Sequence, residues 1–197
     1  MKNILILLTS FLVLHGMEGI AQTTYESSLK TFQEKYVTDH EVVKGNDKAN
    51  FRFYPINKHF LVKARFEKIP DSTSVTMKTS KAMEKSFKRY GYLHFKFKDS
   101  TYRLTLYQSL KEMPGYEDYL FLPFTDAGSG EASYAGGRYI DLRMGDIRNG
   151  KVLLDFNKAY NPYCAYATGY NCPIPPRENS LPFEICAGEM NFAEAHP

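Results

Sequence analysis

The sequence predicts a mainly β fold, an antiparallel split-barrel-like domain preceded by one helix. Three observations carry this prediction. Apolar residues alternate with polar ones in short runs along most of the chain; turn-forming residues separate those runs; and only the stretch after residue 21 shows helical spacing. In that stretch, "TTYESSLKTFQEKYVTDH", the apolar residues Tyr25, Leu29, Phe32 and Tyr36 fall on one face, which predicts an amphipathic helix packed over the main body.

After the polar connector "KGNDKAN" the period changes to two. "FRFYP" is the first short strand. "HFLVKARF" sets Phe60, Val62, Ala64 and Phe66 against Leu61, Lys63 and Arg65, the pattern of a half-buried strand. "SVTMKT" follows, and then "KTSKAMEKSFKR" (Lys78 to Arg89), whose lysines interleaved with Glu84 and hydrophobics suggest a solvated helical or loop face. "YLHFKFK" and "TYRLTLYQ" alternate again around the polar "KDS", a hairpin turn. "YLFLPF" is a continuous apolar run suited to a strand buried on both faces. "RYIDLRM" and "KVLLDF" flank Asn149-Gly150, a hairpin signal because both residues tolerate positive φ. "LPFEICAG" closes the series with Leu181, Phe183 and Ile185 on one side. An antiparallel barrel, closed or nearly so, buries that many alternating faces without long exposed edges, and a two-sheet β-sandwich is the alternative.

Residues 1–21 carry a charged Lys2, the apolar run "ILILLTSFLVL" and the small residues "GIA" before Gln22, the layout of a secretory signal peptide. This predicts a secreted or periplasmic protein and a single globular domain over residues 22–197. No later run is long and apolar enough for a membrane span, so an integral membrane protein is not expected. The formal net charge of +3 is too small to point to nucleic acid.

Cysteines and histidines argue against a metal centre. Cys164 and Cys172 are spaced too widely for a structural zinc pair, and the mature chain's histidines (His40, His59, His94 and His196) show no paired spacing. In an oxidising compartment the same two cysteines are expected to form a disulfide across the Thr168-Gly169 turn, leaving Cys186 as a free thiol. The chain holds no G-x-S-x-G elbow and no glycine-rich phosphate cradle, and no cofactor is expected.

The stretches "FLPFTDAGSGEASYAGGRYIDL" and "LLDFNKAYNPYCAYATGYNCPIPPRENSLPFEICAGE" resemble the DUF1684 family, a domain of unknown function, and the earlier "FRFYPINKHFLVKARFE" fits the same layout. The resemblance covers nearly the whole mature chain. It implies no reaction, and a relation to split-barrel flavin-binding folds is a fold-level analogy.

The candidate binding residues are Asp126, Arg138, Asp141, Asp155, Asn157, Asn161, Glu178 and Asn179, polar groups at strand ends and in the Tyr- and Pro-rich segment 155–179. Asx side chains there can brace irregular backbone or face a pocket, and an Arg after Gly136-Gly137 can pair with a nearby acid or receive an anion. The favoured function is noncatalytic binding of a small molecule or envelope component. The alternatives are an envelope hydrolase using paired carboxylates such as Asp155 and Glu178, or a flavin-binding protein.

Overall fold

The structure is a computed structural model that describes residues 24–70, 74–111 and 114–193. The expected leader at residues 1–21, and His196, lie outside the described residues. The chain divides into two compact units, Met1–Asp39 and His40–Pro197. In the first, residues 24–39 form helix α1, with Leu29 buried and Phe32 37% exposed. Ser27, Ser28 and Thr31 donate hydroxyl hydrogens back to carbonyls of Thr24, Tyr25 and Ser27, and Lys35 pairs with Asp39 one turn on.

The second unit is one curled antiparallel sheet. Its strands are β1 (Leu61–Lys68), β2 (Ser74–Lys78), β3 (Glu84–Phe97), β4 (Ser100–Ser109), β5 (Tyr119–Phe124), β6 (Arg138–Arg143) and β7 (Lys151–Asp155), in the order β6-β5-β4-β3-β1-β7. The long β3 pairs along one side first with β2 and then with β1, so those two strands lie end to end beside it. A single sheet takes the place of the two-sheet alternative.

Its curl follows from two rings. Phe124 on β5 and Phe156 just past β7 are 5.4 Å apart by ring centroid, with three strands between theirs in the sheet order. A flat sheet would separate them by roughly 19 Å at about 4.8 Å per strand. The concave face therefore closes on itself as a half-barrel. Its core is formed by Val62, Ala64, Leu93, Phe95, Leu104, Leu106, Leu120, Leu122, Ile140, Leu142, Val152 and Leu154, the alternate residues of six strands.

The opposite face carries a second, aromatic core of Met77, Phe87, Tyr107, Phe121 and Tyr139. A bulge between Arg89 and Gly91 lets β3 serve both faces. Before it Phe87 joins the aromatic core, and after it Leu93 and Phe95 face the main one. Gly91 is required by packing: a Cβ there would sit 2.4 Å from Phe66 Cε2 and 2.7 Å from the Glu67 carbonyl.

Three sequence expectations change. Glu84–Arg89 is strand, not helix or loop, and extends β3 towards its N-terminus. "FRFYP" and "LPFEICAG" join no ladder; Phe53 makes one isolated bridge to Glu189, and the 181–188 segment is irregular. The Asn149-Gly150 turn does form, with φ 50° and 68° and reciprocal Arg148–Lys151 hydrogen bonds, but it joins strands that run to opposite edges of the sheet.

Candidate functional site

The eight candidate residues fall into separate settings. Arg138 opens β6 behind Gly137, whose φ of +82° suits glycine and whose Cβ would stand 2.6 Å from the Phe124 carbonyl. The guanidinium is fully buried. Its Nη2 donates to Asp126 Oδ2 at 2.7 Å and to the Ile185 carbonyl at 2.9 Å; its Nη1 donates to the carbonyls of Ala187 (2.6 Å) and Glu189 (3.0 Å). Asp126 uses its other oxygen to accept from the Gly128 N–H. One cation thus fastens alternate carbonyls of the C-terminal segment to β6, which explains why that segment alternates like a strand yet joins no ladder. A guanidinium so occupied is structural.

Asp155, Asn157, Asn161 and Asn179 also brace backbone. Asp155 Oδ1 accepts from the Asn157 N–H and Nδ2, and Asn157 clasps the N–H and carbonyl of Asn57. The Asn161 N–H donates to the buried Glu189 carboxylate, which also receives the Tyr166 hydroxyl. Asn179 accepts from the Thr105 N–H at 2.7 Å and donates to the Thr105 and Pro123 carbonyls. Between β4 and β5 only Tyr107 and Phe121 pair directly, and Asn179 takes the place of a rung that Pro123, lacking an N–H, cannot complete.

Glu178 and Asp141 differ. Both belong to the aromatic face, away from Arg138. Glu178 accepts from Arg89 Nε at 2.9 Å and from the Tyr107 hydroxyl. Burial raises the Glu178 carboxyl, but the bonds from Arg89 and Tyr107 outweigh it and hold the group below its ordinary value. The same environment pushes the Tyr107 hydroxyl far up, burial first and its bond to Glu178 second.

Asp141 lies on β6 directly across from Phe121 on β5. The hydroxyls of Tyr119 (2.7 Å) and Tyr160 (2.6 Å) both donate to Oδ1, and Oδ2 has no hydrogen-bond partner among the described residues. Tyr160 stands perpendicular to Tyr139 at 5.9 Å, and Tyr139 packs against Phe121 at 4.7 Å. Desolvation by these rings raises the Asp141 pKa despite two hydroxyl donors and the nearby Arg143 charge. Arg143 is itself engaged at 2.6 Å by Asp118, and Asp141 has no ion-pair partner among the described residues. The residue as a whole remains open to solvent. A carboxylate in an aromatic setting, with one oxygen held and the other free, is arranged to receive a cation or a hydrogen-bond donor.

Sequence reasoning singled out Asp141 but not Tyr119, which lies 22 residues away across the β5–β6 connection. It also missed Glu189 and Arg89. The alternation of β6, with Tyr139, Asp141 and Arg143 on one face, is the signal that could have grouped the acid with the rings.

The Cα atoms of Cys164 and Cys172 are 6.3 Å apart and their sulfurs are within bonding distance, while Cys186 is free and exposed. Among the described residues no cluster of three or more His, Cys, Asp or Glu side chains is arranged to hold a metal, and no helix is long and apolar enough to cross a membrane.

No curated protein matches the chain. Among solved structures it is similar to an uncharacterised protein of Haloarcula marismortui determined in solution by NMR, with 26% identity and a TM-score of 0.66 over 86% of this chain and 96% of that one. Residues 48–190 match the family described as a protein of unknown function, DUF1684. That span takes in both cores, the Arg138 clasp and Asp141 with its tyrosines, and the chain belongs to the DUF1684 family.

Proposed function

We propose that this is an exported, noncatalytic binding protein that takes a small cationic ligand, a primary or quaternary amine, at Asp141. The observation that carries this reading is the Asp141 carboxylate, set among tyrosine and phenylalanine rings, held by two hydroxyls at Oδ1 and, among the described residues, without an ion-pair partner or a hydrogen bond at Oδ2. An ammonium group would supply the missing charge, and the Tyr119 and Tyr160 rings would add cation–π attraction. The expected leader and the paired Cys164 and Cys172 support export. Acid–base hydrolysis has less support, because Asp155 braces Asn157 whereas Glu178 accepts from Arg89 and Tyr107 on the aromatic face.

Tyrosine fluorescence reports the site directly, since the chain contains 15 tyrosines and no tryptophan. Titration with choline and with putrescine should change that emission saturably. In Asp141→Asn, which keeps an acceptor for the two hydroxyls, the change should vanish while the melting temperature holds. A raised Asp141 pKa adds a second mark: amine binding should weaken as pH falls through a midpoint above the ordinary 3.8. An equal response in Asp141→Asn, or none to either amine in the parent, would overturn the reading.

A further inference from the structure

The end of the sheet formed by the β2–β3 hairpin gathers two features that the Asp141 site does not use. The first is charge. Lys78, Lys81, Lys85 and Lys88 lie within this hairpin, with Glu84 as the acid among residues 74–88. None of these lysines has an ion-pair partner among the described residues. Lys111 adds a further cation close enough to Lys85 to depress its pKa, after burial.

The second feature is apolar. Met83 at the hairpin turn is 58% exposed, and Leu110 and Ile174 are each 47% exposed. The backbone places them together. The Leu110 N–H donates to the Ser86 carbonyl on one flank of the hairpin, and the Ile174 N–H donates to the Lys78 carbonyl on the other. The Thr79 hydroxyl closes the turn onto the Met83 carbonyl. Three of the large exposed apolar side chains of the described residues therefore surround one lysine-rich tip.

We propose that this tip docks on an anionic lipid surface. Lysines that rim exposed apolar side chains suit a bilayer interface: the ammonium groups meet the headgroup phosphates while Met83, Leu110 and Ile174 enter the acyl boundary. A soluble polyanion would satisfy the lysines but would leave those side chains in water. Charge complementarity together with apolar exposure at one place favours the lipid surface.

The test is co-sedimentation of the full chain with vesicles of phosphatidylcholine alone or mixed with phosphatidylglycerol. Binding should require phosphatidylglycerol and fall with added salt. Lys81→Gln/Lys85→Gln should weaken it about 30-fold, at about fivefold per lysine. Met83→Ser/Ile174→Ser should weaken it about tenfold or more, since each variant removes exposed apolar surface from the lipid contact. All four positions are exposed, so both double variants should melt with the parent. Absence of binding, or equal binding to phosphatidylcholine alone, would overturn the proposal. Binding untouched by Met83→Ser/Ile174→Ser would assign the attraction to polyanions in general and overturn it too. Binding untouched by either variant would assign it to the apolar run at residues 4–14, with the same consequence.

Discussion

Arg138 shows how a single side chain can replace secondary structure. It heads the large side chains that are fully buried, and its four hydrogen bonds reach one carboxylate and three carbonyls spread over five residues of the C-terminal segment. Truncation to alanine would strand the Asp126 charge and remove the Arg138 donors from the three carbonyls. Arg138→Ala is therefore expected to cost about 3–5 kcal/mol, read from the urea midpoint. The double variant Asp126→Ala/Arg138→Ala separates two accounts of that loss. If the ion pair alone mattered, removing both charges would restore most of the stability. Because three carbonyls still lose their donors, the double variant should remain well below the parent. Recovery to parental stability would contradict the clasp.

At the scale of elements, the strands were legible in the sequence wherever one face is buried and the other is wet. Val62 and Ala64, or Leu104 and Leu106, announce themselves by spacing alone. Glu84–Arg89 did not, because the Arg89/Gly91 bulge breaks the parity of β3 midway and its first half carries lysines on both faces. The segment 181–188 misled in the other direction. Its alternation is real, but its backbone is held by scattered bonds to Thr125, Ala127 and Tyr54 and by the Arg138 side chain, none of which periodicity reveals. The site was legible only in part for the same reason: Asp141 is visible as an acid in a strand, whereas Tyr119 and Tyr160 meet it through cross-strand geometry. The disulfide loop was legible from chemistry, and it makes a direct prediction. The eight-residue separation of Cys164 and Cys172 closes a loop worth about 2.6 kcal/mol in the chain-entropy description. Cys164→Ser/Cys172→Ser should lose about that much, and the unreduced, unfolded parent should titrate one thiol, Cys186. Three titrating thiols would show that the bond does not form.

At the scale of the whole molecule, stability should depend on pH through groups of opposite sign. His40 is buried among Phe51, Tyr163 and Tyr166, with ring centroids 4.6 to 5.5 Å away, and its Nδ1 accepts from the Val43 N–H. Its pKa falls from 6.5 to about 4, first through desolvation and then through the charges of Lys48 and Lys44, with Glu41 opposing them. Between those values the unfolded chain binds a proton that the folded chain refuses, so stability is full above pH 6.5 and declines as pH falls towards 4. Asp141 acts against this. Its raised pKa makes the folded state the better proton acceptor above 3.8, which favours folding as the carboxyl protonates. Glu178, held low, contributes stability above 4.5 that is lost as pH falls through its folded value, so it comes into play only at the lower end of the histidine window and below it. The upper part of the decline, nearest pH 6.5, therefore belongs to His40. His40→Asn keeps a side-chain acceptor for the Val43 N–H and removes the titration. Melting temperatures followed from pH 8 to pH 4 should fall in the parent as pH drops below about 6.5 and stay nearly level in His40→Asn over the upper half of that range. Parallel curves for the two proteins would mean that the imidazole is protonated in the folded state as readily as in the unfolded one, contrary to an aromatic enclosure that keeps it neutral.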